Sequence, residues 1–223
     1  MTTRKLPNRI INIVNQDKTW HEQPSDDLGT FPHPFRAIFI SSPGGGKTLA
    51  IKNILIRTDP PFDNILLIHA DLETKEYSDL DLCYFDSKIP SIEEMNIDST
   101  KKSLIIIEDL DYHNLSKEEK SNLNLINGCF STHKSLSVMM TCQNPFSIPA
   151  GVRRMCTVLC LWKGHDANCL TILSSRFGIN AKDLRHFFDH IVNDTHDFLV
   201  IDTHRDRKLR LRKNLFTPIE YNP

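Results

Sequence analysis

The chain has 223 residues, of which 39% are hydrophobic and 25% are charged, values that predict one globular domain and exclude a disordered or fibrous protein. Its 27 lysines and arginines are balanced by 28 acidic residues, giving a formal net charge of −1, so the chain as a whole is not a polycation for nucleic acid. Any nucleic-acid contact would therefore need a local basic patch or several subunits together.

The polar N-terminal stretch, residues 1–30, predicts an arm ahead of one folded domain over residues 31–223. Residues 1–23 show no apolar segment of the kind found in secretory signal peptides, and no apolar run approaches the ~20 residues that a membrane helix needs. We therefore expect no membrane span. The cysteines form no C-x-x-C pair, which favours buried, reduced thiols over a zinc site.

The predicted elements alternate along the chain. Apolar runs predict strands at residues 36–40, 64–70, 82–85, 103–107, 135–142, 155–162, 198–201 and 209–211. Amphipathic runs predict helices at residues 47–57, 116–130, 166–177 and 181–193, the second with Ser116 and Glu119 as a capping box. Because these strands are continuously apolar and separated by helices, they predict an α/β fold, a three-layer sandwich with a central, mainly parallel sheet.

A glycine-rich loop joins the first predicted strand to the first predicted helix. Its sequence, SSPGGGKT, consists of Ser41, Ser42, Pro43, Gly44, Gly45, Gly46, Lys47 and Thr48. A strand, such a loop and a helix form the context of a P-loop, in which backbone N–H groups and the helix N-terminus hold phosphates. Lys47 would reach the β- and γ-phosphates of ATP, and Thr48 would coordinate Mg²⁺. The usual pattern begins with glycine, and Ser41 stands there instead.

A second motif, LIIIED at residues 104–109, ends a predicted strand in two acids. A P-loop requires a carboxylate at a neighbouring strand tip to hold the water shell of Mg²⁺. We assign that role to Glu108 and the polarisation of the attacking water to Asp109. The two roles could be exchanged, and Asp111 is a further candidate.

Polar residues follow the next predicted strand. Gln143 comes directly after it, and in an additional-strand, RecA-like P-loop core its tip would face the γ-phosphate. Arg153 and Arg154 follow ten residues later and could enter a neighbouring subunit's site to stabilise transition-state charge. Arg176 is a weaker candidate for that role.

The C-terminal region carries a basic segment, in which Lys208, Arg210 and Arg212 alternate with leucines. As a strand, it would present these cations on one face, where they could bind DNA phosphates. A protected edge strand explains the same pattern. Residues 69–73 could form a DNA-contacting loop instead.

These motifs, together with SVMMTCQNPFSIPAGVRRM and HDFLVIDTHRDRKLRLRKNLF, resemble the genome-packaging ATPases of poxvirus-type and polinton/virophage-type elements, in the FtsK/HerA division of P-loop NTPases. The resemblance implies ATP-driven translocation of double-stranded DNA into a preformed capsid. It further implies a homo-oligomeric ring, a pentamer or hexamer, with ATP at subunit interfaces and capsid or portal-vertex proteins as partners. The implied location is the host cytoplasm, a viral factory or the virion.

Other functions use a P-loop too. A nucleotide or small-molecule kinase would need an acceptor site and an arginine-rich lid, for which residues 176–185 could be mistaken. A GTPase is disfavoured because no NKxD-type motif occurs. A non-motor, ATP-dependent DNA-binding or capsid-adaptor protein is a further alternative.

Overall fold

The computed structural model describes Glu22 and residues 26–221. Most of the predicted arm therefore lies outside the described residues. Within them, no helix is both long and apolar enough to cross a membrane.

The described part of the chain alternates between strands and helices, as the hydrophobic pattern predicts. The strands are β1 (Arg36–Ile40), β2 (Asn64–His69), β3 (Tyr84–Asp86), β4 (Ser103–Glu108), β5 (Leu136–Cys142), β6 (Val158–Trp162), β7 (Phe198–Asp202), β8 (Leu211–Lys213) and β9 (Thr217–Pro218). The helices are α1 (Lys47–Arg57), α2 (Ile92–Met95), α3 (Lys117–Leu125), α4 (Ser131–His133), α5 (Ala150–Met155), α6 (Ala167–Arg176) and α7 (Ala181–His190). A π-helical turn, Ile126–Phe130, joins α3 to α4.

All of these strands form one sheet in the order β3-β2-β4-β5-β1-β6-β7-β8-β9. The strands from β3 to β6 are parallel, and β7, β8 and β9 pair antiparallel beyond them. Strand β5 lies between β1 and β4, which is the additional-strand arrangement. The carboxyl ends of β1, β4 and β5 consequently share one edge of the sheet.

Apolar side chains cover both faces of this sheet, because successive residues of a strand point to opposite sides. Ile51 and Ile54 of α1 pack with Phe39 on one face. Leu123 of α3 and Leu173 of α6 belong to the core on the other face. The predicted three-layer sandwich with a mainly parallel sheet is thus confirmed.

Some boundaries differ from the sequence prediction. Residues 150–155 form α5, whereas the sequence prediction assigned no element to residues 150–154 and began a strand at residue 155. The segment 91–98 contains the short helix α2, which Ser91 and Glu94 cap. The last basic strand begins at Leu211 rather than residue 209. Four of the cysteines are buried as expected, but Cys83 and Cys129 are exposed.

Candidate nucleotide-binding site

The glycine-rich loop connects the end of β1 to the start of α1. Gly44 and Gly46 have φ angles of 74° and 99°, left-handed values that only glycine adopts at little cost. A Cβ built at either position would meet no described atom within 4 Å, so the loop faces open space there. Gly46 is also the N-cap of α1, where unpaired backbone N–H groups and the helix dipole favour an anion. This geometry fits a phosphate group.

Ser41 stands where the P-loop pattern has glycine, and the structure shows how the loop accommodates it. Ser41 is buried, and its φ is not in the left-handed region. Its hydroxyl donates to the carbonyl of Ser42 at 3.0 Å. An ideal Cβ on Gly45 would lie 1.8 Å from Ser41 Oγ. The serine side chain therefore uses space that the glycine four residues later leaves free.

Lys47 begins α1 and is only 8% exposed. Its Nζ donates to the carbonyl oxygens of Ser41 at 3.2 Å and Ser42 at 3.3 Å. The ammonium charge is therefore held against the loop backbone, within reach of an anion that the loop binds.

Thr48 and Glu108 meet across the sheet edge. The Thr48 hydroxyl donates to Glu108 Oε1 at 2.8 Å, although β1 and β4 are separated by β5. The hydroxyl of Tyr77 donates to the other carboxylate oxygen, Oε2. Each oxygen of Glu108, which is 2% exposed, thus accepts a bond from a hydroxyl.

The carboxyl of Glu108 is electrostatically costly to ionise. Burial raises its pKa above the ordinary value, and the carboxylates of Asp109 and Glu76 raise it further, while the Tyr77 and Thr48 hydroxyls oppose the shift. Glu76 Oε2 lies 3.2 Å from the same Thr48 hydroxyl, whose single proton points to the closer Glu108. A cation beside Thr48 and Glu108 would relieve this crowding of negative charge. The hydroxyl and the carboxylate are oxygen donors of the kind Mg²⁺ prefers, so the residues fit a magnesium ion carried by a triphosphate.

Asp109 occupies a different environment from Glu108. It has a φ of 55°, its N–H donates to Thr141 Oγ1 at 3.3 Å, and its side chain is 57% exposed. Asp109 Oδ2 lies 3.8 Å from His69 Nε2. His69 Nδ1 lies 3.0 Å from both the backbone nitrogen and the carbonyl oxygen of Asp71, so the turn after β2 fixes the ring beside Asp109. The further candidate, Asp111, is exposed and accepts bonds from its own turn.

Gln143 follows β5 directly and is exposed. The Ser41 N–H donates to the carbonyl of Cys142 at 3.2 Å, which places Gln143 beside the start of the glycine loop. Within the described residues, the Gln143 side chain forms no hydrogen bond, and its amide is therefore available to a ligand.

The candidate arginines differ in how they are held. The guanidinium of Arg153 donates to the carbonyls of Pro145 and Ile148, both at 2.8 Å. Arg176 likewise donates to the carbonyls of Arg154 and Cys156. Arg154 is exposed, and its side chain has no hydrogen bond or ion pair with any part of the chain that is described. Because Arg153 and Arg176 are tied to their own backbone, they are poorly suited to reach another subunit. Arg154 is therefore the better candidate of the three.

The predicted basic face near the C-terminus is not formed. Arg212 is fully buried, pairs with Asp202 Oδ2 at 3.2 Å and donates to the carbonyl of Leu209. Arg210 is half-buried, and its guanidinium donates to the carbonyl of Phe177. Lys208 is exposed in the turn before β8. The predicted face of three exposed cations therefore does not form, because Arg212 is buried in an ion pair and Arg210 is bonded to the backbone of Phe177.

The alternative DNA-contacting segment, residues 69–73, begins with the buried end of β2. Residues 70–73 are exposed, but Asp71 and Glu73 make the segment acidic. Such a segment would repel phosphates rather than attract them.

Two residues beside the motif acids were not singled out from sequence. Tyr77 and Glu76 come from the polar segment between β2 and β3, where no spacing marks them. They reach Glu108 and Thr48 only because β2 pairs with β4 in parallel. The sequence offered no signal for either contact.

No protein-family model matches this chain, and no curated protein matches it either. Among solved structures, it is similar to B204, the DNA-packaging ATPase of Sulfolobus turreted icosahedral virus, with a TM-score of 0.60 and 14% identity over 84% of this chain and 100% of that one. The genome-packaging NTPase B204 of Sulfolobus turreted icosahedral virus 2, in complex with ATPγS, is similar with a TM-score of 0.58 and 14% identity. The match covers 84% of this chain and 98% of that one.

The fold also occurs outside viral packaging proteins. The conjugation coupling protein TcpA of pCW3, with ATPγS, gives a TM-score of 0.52 and 12% identity over 84% of this chain and 64% of that one. At these identities the similarity concerns the fold alone. The chain has the fold of the P-loop NTPases that includes packaging ATPases and conjugation coupling proteins.

Proposed function

We propose that this chain is an ATPase that drives double-stranded DNA into a preformed viral capsid. It would work as a homo-oligomeric ring, a pentamer or hexamer, with MgATP bound at subunit interfaces and capsid or portal-vertex proteins as partners. Its place of action would be the host cytoplasm, a viral factory or the virion.

The main support for ATP hydrolysis is the 2.8 Å hydrogen bond between the Thr48 hydroxyl and Glu108 Oε1. It brings the end of the phosphate-binding loop to a buried carboxylate on a strand that is not its neighbour. Bound Mg²⁺ would supply charge neutralisation for the β- and γ-phosphates. Thr48 would hold the ion and Glu108 its water shell, while the exposed Asp109 would orient the attacking water.

The sheet order and the solved relatives support the motor part. Strand β5 lies between the loop strand and the acidic strand, which supports a role for Gln143 in contacting the γ-phosphate or the attacking water. Arg154, exposed at the end of α5, would complete the site of an adjacent subunit. Loss of the γ-phosphate would remove the contacts of both groups and change the subunit interface.

Contacts with DNA should go mainly to phosphates, because a packaging motor must not depend on sequence. Lys208 is the member of the predicted basic set that is exposed. One lysine is a weak site, but a ring would present it once per subunit around a central duplex. The electrostatic attraction would then come from the assembly and not from the single chain, whose net charge is −1.

The test combines turnover with mass. ATP hydrolysis is measured with and without double-stranded DNA, and light scattering gives the mass with an ATP analogue. We expect DNA to stimulate hydrolysis in a ring-sized assembly, Glu108→Gln to abolish turnover and Lys208→Ala to weaken DNA stimulation. A monomer that transfers phosphate to an added nucleoside would refute the motor and favour a kinase.

A further inference from the structure

A second concave surface adjoins the glycine loop on the side away from Glu108. This pocket, which we call the aromatic pocket, has a volume of about 220 Å³. Its lining includes Gly45, Leu49, Trp162, Phe198 and Phe216. Because Gly45 and Gly46 belong to both the loop and the pocket, a ligand held by the loop could extend directly into it.

The position of the pocket follows from the sheet order. Glu108 and Gln143 lie at the tips of β4 and β5, on one side of β1. Trp162 ends β6 and Phe198 begins β7, on the other side. A nucleotide whose terminal phosphate lies by Thr48 and Glu108 has room to extend past Gly45 and Gly46 towards β6 and β7.

The lining is suited to a flat aromatic ring. Trp162 and Phe198 are stacked with their ring centroids 4.3 Å apart at 21°, and both are buried. Leu49 and Phe216 are 66% and 45% exposed, so apolar surface remains open next to the loop. Exposed aromatic and aliphatic surface beside a polar loop is typical of a ligand-binding pocket.

Phe216 is held in position before any ligand binds. The guanidinium of Arg57 lies over its ring at 4.5 Å. A Cβ at Gly29 would come within 2.6 Å of Phe216 Cε1, so the backbone there packs closely against the ring. Restricting the ring in this way lowers the entropy that a bound partner must offset.

The polar groups of the pocket indicate which base it suits. Trp162 Nε1 is buried and has no hydrogen-bond partner among the described residues, an unusual state for a donor in a protein interior. Asn214 uses its oxygen for the Phe198 N–H and its amide nitrogen for Asp197. None of the described residues lining the pocket is a carboxylate. Asn53 and His196 also line the pocket, and Asn53 donates its Nδ2 to the carbonyl of Leu49, which leaves its Oδ1 as an acceptor. One donor and one acceptor match the ring nitrogen N1 and the exocyclic amine of adenine, whereas guanine presents two donor groups beside its carbonyl.

We propose that the aromatic pocket binds the adenine ring of ATP, with Phe216 as its stacking partner and Trp162 as its buried donor. This assignment rests on the proposed nucleotide-binding function and adds to it a basis for choosing among nucleotides. It also makes Phe216, in the turn between β8 and β9, a specificity-determining residue far in sequence from the loop.

The experiment compares ligands that do and do not carry a base. Calorimetry measures the binding of MgATP, MgGTP and magnesium tripolyphosphate to the full chain. Phe216→Ala is matched with Phe85→Ala, which removes a similarly exposed phenylalanine, 38% exposed, at the opposite edge of the sheet. Phe216→Tyr retains the ring, and melting temperatures verify that each variant folds.

We expect Phe216→Ala to weaken ATP binding about tenfold, a loss of ~1.4 kcal/mol, and to leave tripolyphosphate binding within about twofold. Phe216→Tyr should restore ATP binding, Phe85→Ala should change neither ligand, and GTP should bind the native chain more weakly than ATP. Unchanged ATP affinity in folded Phe216→Ala, or equal binding of ATP and tripolyphosphate to the native chain, would overturn the pocket assignment alone. Failure of both ATP and tripolyphosphate to bind the native chain would instead overturn the nucleotide-binding function.

Discussion

Replacing Tyr77 with phenylalanine removes one hydroxyl from the most buried part of the site. That hydroxyl donates to Glu108 Oε2, and it lowers the pKa of a carboxyl that burial otherwise raises. Without the donor, the pKa of Glu108 should rise further. We therefore expect Tyr77→Phe to extend the pH range over which Glu108 is protonated and inactive.

The magnitude follows from the kind of bond that is lost. A hydrogen bond to a charged group stabilises a protein by about 1.5–3 kcal/mol, against about 0.5–1.5 kcal/mol for one between neutral groups. Loss of the hydroxyl should thus cost ~1–1.5 kcal/mol more when Glu108 is ionised than when it is protonated. Since one pKa unit corresponds to ~1.36 kcal/mol, the pKa of Glu108 should rise by about one unit.

Two measurements report this shift. The acid limb of the pH dependence of kcat/KM, which reflects the free enzyme, should move to higher pH by about one unit. The stability effect has a defined sign as well. Because the folded pKa of Glu108 is raised, its contribution to stability is greatest at low pH and is lost as pH rises through the folded pKa. Tyr77→Phe should therefore lower the melting temperature by about 3–12 °C at pH 8 and by less near pH 5.

Tyr112 provides a matched control. It is equally buried, but its hydroxyl donates to the backbone carbonyls of Ile107 and Thr141. Tyr112→Phe should destabilise the chain without moving the acid limb. Equal acid limbs in the native chain and Tyr77→Phe, or equal shifts in both variants, would refute the assignment of Tyr77 as the group that positions and tunes Glu108.

Three further substitutions have definite expected outcomes. Gly45→Ala should weaken ATPγS binding at least tenfold, because the new Cβ would lie 1.8 Å from Ser41 Oγ. Adding Ser41→Gly should restore most of the affinity measured by calorimetry. A double variant that does not recover would contradict the steric cause. Arg212→Met should lower the free energy of unfolding, measured in urea, by about 3 kcal/mol, because it breaks the buried ion pair with Asp202. The affinity for DNA should not change. Weaker DNA binding in the folded variant would contradict an interior role for Arg212. Arg154→Ala should lower kcat of the assembly and leave the melting temperature unchanged, whereas Arg153→Ala should lower the melting temperature. Normal turnover in Arg154→Ala would exclude Arg154 as the arginine that enters the site of an adjacent subunit.

The elements that position the loop could be predicted because local pattern and tertiary structure agree there. The apolar run of β1, the glycines and the amphipathic run of α1 specify consecutive elements with the observed bounds. The end of the acidic strand β4 at Glu108 was also close to the prediction, because its apolar run stops at the two acids. Helix α2 was missed although its capping pair, Ser91 and Glu94, has the spacing that predicts a helix start.

The misassigned residues depend on contacts that local pattern does not contain. Arg212 alternates with leucines as a surface cation would, but Asp202 on β7 is fully buried and requires a positive partner. Neither residue indicates the other before β7 and β8 are paired. Tyr77 is equally invisible, because its link to Glu108 spans 31 positions and arises from the order of the sheet.

The central claim is that residues 41–48 bind a nucleoside triphosphate. Its most direct test is the affinity of MgATPγS for Lys47→Ala, with Lys52→Ala as the control on the same helix, where that lysine pairs with Asp79 at 2.7 Å. Loss of a charge-assisted contact predicts at least about tenfold weaker binding for Lys47→Ala and native affinity for Lys52→Ala. Native affinity in a folded Lys47→Ala chain would contradict the claim.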